Sequence, residues 1–294
     1  MTVINTNVAA TLTANALTKN ERAMSQAMER LSTGQRINSA GDDAAGLAIS
    51  SKMTSQVNGL NQAVRNVNDA ISMVQTADGA IVEIEGMLQR MRELAVQARS
   101  ESNSSTDRAA LDLEFEALDT GINDIAQNTQ WNGVTLLNTD GGKAVVFQVG
   151  ANANQELTVT FEDFNTAAAD STAGIFEGLD QSALGGTAAT DLASADIGTS
   201  ASNAEAAIAR LDYAIEHVNS HRATLGSVIS RLEYSADNLS NVSQNTSASR
   251  SRVLDADYAT ETTELARTQI IQQAGTAMLS QANQQAQSVL ALLR

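Results

Sequence analysis

Residues 57–95 read VNGLNQAVRNVNDAISMVQTADGAIVEIEGMLQRMRELA, and the spacing of their apolar side chains decides the fold. Val57, Leu60, Val64, Val67, Ile71 and Val74 alternate steps of three and four. That is the seam of a helix lying against other helices. One extra step of three reaches Ala77, and the pattern resumes at Ile81, Ile84, Leu88, Met91 and Ala95. The added step is a stammer, which overwinds a coiled coil locally. A helix from about 43 to 100, rising about 1.5 Å per residue, is roughly 85 Å long. A compact domain cannot contain such a rod, so the sequence predicts an elongated molecule.

The segments around it repeat the theme. Leu111, Phe115, Leu118, Ile122 and Ile125 step four, three, four, three, and a third seam runs from Ile208 through Leu211, Ile215, Val218, Leu225, Ile229 and Leu232 to Leu239, broken only by Arg222. Between 143 and 161 the period changes to two. Val145, Phe147 and Val149 alternate, as do Leu157, Val159 and Phe161, with GANANQ between them, so a β-hairpin is expected. Residues 128–142 hold Asn-Gly and Asp-Gly-Gly and read as loop or turn, and the polar segment SQNTSASR at 243–250 leads to the terminal helix from about 255 to 294. Residues 165–203 are rich in Ala, Ser, Thr, Gly and Asp and form an irregular surface excursion.

Both ends carry narrow stripes. Val3, Ala10, Leu17, Met24 and Leu31 recur every seven residues, while Ile271, Met278, Ala282, Val289 and Leu293 step by seven, four, seven and four. Neither stripe buries enough surface to outweigh the entropy of ordering its own helix. Each end must therefore find a partner, in the other end or in neighbouring copies, and is expected to fold on docking. Asp42 or Asp43 is placed to cap the long helix, and Asp255 and Asp257, which lack the Gly and terminal Glu of a calcium loop, are placed to cap the last one. The expected fold class is mainly α, an elongated out-and-back antiparallel helical bundle or coiled coil with one β-hairpin and a small irregular central insertion. Its expected divisions are 1–42 and 253–294 as two halves of a terminal coiled-coil domain, 43–164 and 204–252 as two halves of a helical-bundle domain, and 165–203 as the insertion.

Composition narrows the function. Proline is absent, where usage of about 5% would supply roughly fifteen residues, as suits a chain of long helices. There is no cysteine, hence no disulfide, thiolate metal site or cysteine nucleophile. A net charge of −16 argues against nucleic acid, whose phosphates need clustered Lys and Arg. No apolar run approaches the ~18 residues that span a bilayer, and the start MTVINTNVAA lacks the features of a secretory signal. His217 and His221 lie four apart, but without further ligands they read as a solvated face or an interhelix polar contact. No phosphate-cradling loop or nucleophile elbow is present, so neither catalysis nor a cofactor is expected.

Longer strings carry a resemblance. INTN at 4–7, RLSTGQRINSAGDDAAGLAIS at 30–50, LQRMRELAVQ at 88–97, QWNGVTLL at 130–137 and the run from VLDADYATETTELARTQ to QSVLALLR at 253–294 resemble bacterial flagellin. The resemblance implies a subunit that polymerises into the flagellar filament, its terminal helices lining an inner tube and its bundle an outer one. It implies export by the flagellar type III apparatus, an extracellular location, and partners in an export chaperone, the cap and hook-junction proteins. Arg90, Leu94 and Glu114 match positions at which flagellins are recognised by Toll-like receptor five, and their native role is expected to be packing between subunits. Val3, Leu17, Met24, Leu31, Ile271, Met278, Val289 and Leu293 are the expected polymerisation seams. Ser171 and Thr172 of the excursion are candidate acceptors of O-linked sugar. Two other functions remain open at this point, a hook–filament junction protein and a secreted coiled-coil adhesin using the excursion.

Overall fold

A computed structural model describes residues 7–138, 142–164, 197–198 and 201–291. Five helices and two small antiparallel hairpins make up the described chain. They are α1 (Val8–Thr33), α2 (Ala44–Arg99), α3 (Ser105–Asn128), β1 (Gln130–Trp131), β2 (Val134–Thr135), β3 (Lys143–Gln148), β4 (Glu156–Phe161), α4 (Ala201–Leu254) and α5 (Tyr258–Ala291). The chain divides into two compact units, Met1–Asn58 with Ser243–Arg294 and Gly59–Val242. The divisions fall inside α2 and α4, whereas the sequence boundaries at 42/43 and 252/253 sit near the helix breaks.

The Gly59–Val242 unit is built on the seam read from residues 57–95. Val67, Ala70, Val74, Ala77, Ile81, Ile84, Leu88 and Met91 of α2 are fully buried. They pack in one core with Phe115 and Ile122 of α3, Leu211, Val218 and Leu232 of α4, and Val159 and Phe161 of β4. Cross-helix pairs give the directions. Arg90 reaches Glu114 on α3, so α3 runs back along α2. Arg222 of α4 bonds Asp78 at 3.1 Å and Glu85 at 2.6 Å, Arg92 pairs with Asp212, and Arg99 lies 3.2 Å from Glu205, so α4 is antiparallel to α2 as well. These pairs explain the break in the α4 seam at Arg222: its guanidinium bridges two carboxylates of the facing helix. Ser104 caps α3 in a reciprocal box with Asp107, satisfying two amides that have no helical partner.

The expected hairpin is present as β3–β4, with Val145 opposite Val159 and Phe147 opposite Leu157. Opposed residues share a face, and this one lies on the core. A second, smaller hairpin was read as loop. β1 and β2 pair across Asn132-Gly133, whose φ values of 49° and 78° give the doubly left-handed turn that fits strand twist. With only two residues per strand, no alternation could announce it.

The polar segment SQNTSASR belongs to α4, which continues through it to Leu254. Ser243 is buried there and Arg250 reaches the Thr54 hydroxyl of α2 at 3.4 Å. Small hydroxylic residues favour turns through local bonds, but packing overrides so weak a preference. The real break, at 255–257, pairs with the loop after α1. The Arg36 amide donates to the Leu254 carbonyl at 2.7 Å, and the Ala256 amide to that of Gly34 at 2.9 Å. In the same loop Asp42 accepts from the amides of Asn38 and Ser39, which holds its carboxyl below the usual range. Asp43 caps α2 through the Gly46 amide at 2.8 Å. A Cβ at Gly46 would lie 2.6 Å from Ile37 Cδ1, so a larger residue there would have to push that side chain aside.

Candidate assembly faces on the terminal helices

In the other unit α1 packs directly against α5. The α1 residues turned inward are Ala10, Leu17, Asn20, Met24, Ala27, Arg30 and Leu31, all buried or half-buried. Several contacts tie α1 and its N-cap to α5, among them the Tyr258 hydroxyl, which donates to the Leu31 carbonyl at 3.0 Å. Asn7 Nδ2 donates to the Ala282 carbonyl at 3.1 Å, and Asn20 Nδ2 to the Thr268 carbonyl at 2.7 Å. Arg30 pairs with Glu261 at 3.0 Å, and Leu17 Cδ1 sits over Gly275. As the α1 number rises the α5 number falls, so the pair is antiparallel. Asp257 caps α5, accepting from the Ala259 amide and the Thr260 hydroxyl, and those bonds hold its carboxyl below the usual range.

Leu17, Met24 and Leu31 thus face the other end, as their sevenfold spacing suggested. Of the α5 stripe Ala282 also does, but Ile271 and Met278 do not. Glu261, Leu265, Thr268, Gln272, Gly275, Leu279 and Ala282 line the α1 side, while Ile271 and Met278 point away and stay exposed. The physical reason is close approach. Small and polar residues admit the Asn20 amide to backbone carbonyls, which larger apolar side chains would screen. Val3, Val289 and Leu293 lie outside the residues whose side chains are described, as do Ser171 and Thr172.

A second apolar surface on this pair escaped the sequence reading. Val8, Leu12 and Met28 of α1 and Ile270, Ile271 and Met278 of α5 are exposed, with Leu12 at 71% and Ile270 at 66%. Burying such side chains is worth about 1.5–3 kcal/mol each, and within the described chain nothing covers them.

Arg90 and Glu114 come together across α2 and α3 of the other unit. Arg90 Nη2 bonds Glu114 Oε1 at 2.8 Å and Nη1 bonds Glu93 at 2.9 Å, and these carboxylates raise the guanidinium's proton affinity further. Leu94 is different: it is only 1% exposed and belongs to the core. Its expected place on a contact surface is corrected accordingly, because its position on α2 turns it toward α3 and α4.

The histidines resolve as polar contacts of the bundle. His217 stacks on Tyr213 with ring centroids 4.3 Å apart. His221 is buried edge-on to Phe164, with Nδ1 3.6 Å from Glu162 Oε1. Among the described residues no group of three or more His, Cys, Asp or Glu could hold a metal. Pairing with His221 is the main reason the Glu162 carboxyl lies below its ordinary 4.5; burial opposes the shift, and the charges of His221 and His217 add to it. A depressed carboxyl stabilises the fold fully above its unfolded value, and that stability is lost as pH falls through the lower folded value. Glu162→Gln is therefore expected to flatten the acid side of the stability curve. Urea midpoints between about pH 6 and pH 3 test this, and an unchanged slope would refute it.

Residues 4–141 match the family profile described as the bacterial flagellin N-terminal helical region, and residues 208–293 match its C-terminal helical region. The chain is 45% identical over 271 residues to a flagellin of Halalkalibacterium halodurans, covering 92% of this chain and 91% of that one. It is 42% identical to a flagellin of Bacillus subtilis, over 99% of both. The chain belongs to the bacterial flagellin family. Membership makes it a structural subunit of the flagellar filament, the organelle of motility, and the junction-protein and adhesin readings are not favoured. A solved flagellar hook-associated protein of Vibrio parahaemolyticus shares the fold, with a TM-score of 0.56 at 12% identity over 73% of this chain and all of that one. The two matched flagellin regions carry both α1 and α5.

Proposed function

We propose that this flagellin folds in two stages, with the Gly59–Val242 unit formed in the free subunit and the α1–α5 pair completed only as copies join the filament. The observation that carries the reading is the uncovered apolar side of both terminal helices. The 1–42 and 253–294 segments act as halves of one inner-tube domain, 43–164 and 204–252 as halves of the outer bundle, and 165–203 as a surface insertion bearing O-linked sugar at residues such as Ser171 or Thr172. Ile271 and Met278 are seams toward neighbouring copies or, before export, toward a chaperone. Val3, Val289 and Leu293 extend those seams. The subunit acts outside the cell, without catalysis, and meets the cap and hook-junction proteins during growth. The exposed Arg90–Glu114 pair, shaped from beneath by Leu94, is the feature Toll-like receptor five would engage.

Circular dichroism of monomer against fibre tests the two stages. The 26 residues of α1 and 34 of α5 are expected to add to the helix signal on polymerisation. Equal helix content in the two states would count against the proposal.

A further inference from the structure

Glu261, Thr268, Gly275 and Ala282 lie seven residues apart on α5, and each contacts α1 or its N-cap; the Tyr258 hydroxyl adds a bond to the Leu31 carbonyl. Two of the four are chemically unlike the rest. Glu261 is the one charged member, and its carboxylate is 11% exposed beside Arg30. Gly275 is the one without a side chain, and a Cβ built there would lie 2.7 Å from Leu17 Cδ1. The charge and the notch are two heptads apart on α5, while Arg30 and Leu17 are 13 residues apart on α1. The carbonyl contacts of Asn7 and Asn20 do not distinguish registers, because every helical residue offers a carbonyl.

We propose that Glu261 and Gly275 specify the register in which the two ends pair. A one-heptad slip in one direction sets Leu17 against the Ala282 methyl and Arg30 against Thr268, stranding Glu261 without a cation. The opposite slip sets Leu17 against the β-branched Thr268 and carries Arg30 past the start of α5. Either slip loses the ion pair and the notch together. A stranded, partly buried carboxylate is costly, and an overfilled contact adds to the penalty. The apolar contacts alone discriminate less, because on α1 Leu17, Met24 and Leu31 recur every seven residues and a one-heptad slip sets like against like. Register selection thus rests on what mismatched pairings lose, as a polar seam residue does in coiled coils. The inference builds on the reading that paired ends make the filament.

Moving both features by one heptad tests it. The chain Glu261→Thr, Thr268→Glu, Gly275→Ala, Ala282→Gly keeps the composition of α5 but shifts the charge to 268 and the notch to 282. Because the protein has no cysteine, Lys19→Cys and Gln269→Cys accept spin labels at unique sites, and labelled chains can be diluted into unlabelled fibre. Seven residues of helix rise about 10 Å, so the axial offset between the labels in the transposed chain is expected to grow by about that amount and their separation to lengthen measurably. The separation of the original chain would overturn the inference. Should the transposed chain not polymerise, the charge swap decides. Arg30→Glu and Glu261→Arg should each lower fibre yield roughly tenfold or more, and the double variant should recover it. A double variant no better than the singles overturns the proposal. Equal helix content in monomer and fibre would instead sink the two-stage reading and leave the register measurement standing.

Discussion

Deleting residues 1–33 is expected to abolish fibre growth completely while leaving the Gly59–Val242 unit folded. Within its unit α1 is the helix that covers the inner side of α5. Without it Leu265 and Leu279 lose their partners, and Glu261 loses Arg30. An α-helix with no packed face is marginal in water however good its propensity, so α5 would not persist in the geometry a neighbour needs. The uncovered outer side, with Leu12 and Ile270, would go with it. Sedimentation and electron microscopy measure the first outcome, and a urea transition of unchanged midpoint the second. A milder variant separates pairing from assembly. Leu12→Glu touches only the exposed side of α1, so it should stop fibres without disturbing the α1–α5 contacts. Fibres of normal length from the deleted chain would contradict the assembly account altogether.

The largest effect on the subunit alone is expected at Phe161. Its ring is fully buried where β4 meets the helices, and Phe161 stands opposite Lys143 at the open end of the hairpin. Phe161→Ala leaves a void that the three helices cannot collapse to fill, at a cost of about 3–5 kcal/mol. Val146 on the same hairpin is 54% exposed, and Val146→Ala should cost less than about 1 kcal/mol. Both are read from the urea midpoint of the unpolymerised subunit. Comparable losses from the two variants would mean that the hairpin does not present one face to the bundle.

The contrast between these residues was legible beforehand. Alternation over 143–161 put Phe161 on the same face as Val159, and the structure places both in the core. The seam from Val57 to Ala95 was equally readable, because a helix buried along most of its length repeats its burial in its spacing. Arg222 showed only as an interruption. Its partners Asp78 and Glu85 lie more than 130 residues away, and no local pattern links them. At the terminal helices the reading succeeded on α1 and, Ala282 apart, failed on α5. There the buried line passes through Glu261, Thr268, Gln272 and Gly275, residues that hydropathy assigns to solvent.

By itself the sequence determined the helical class, the hairpin, the presence of aspartate caps before α2 and α5, and the family. Each of these is written in spacing or in side-chain chemistry within a few residues. Tertiary structure alone decided which side of α5 is covered, that SQNTSASR continues a helix, that Leu94 lies inside and that Glu261 meets Arg30. These depend on what a distant segment offers: a carbonyl, a cation or room for a methyl group, none of which local periodicity records.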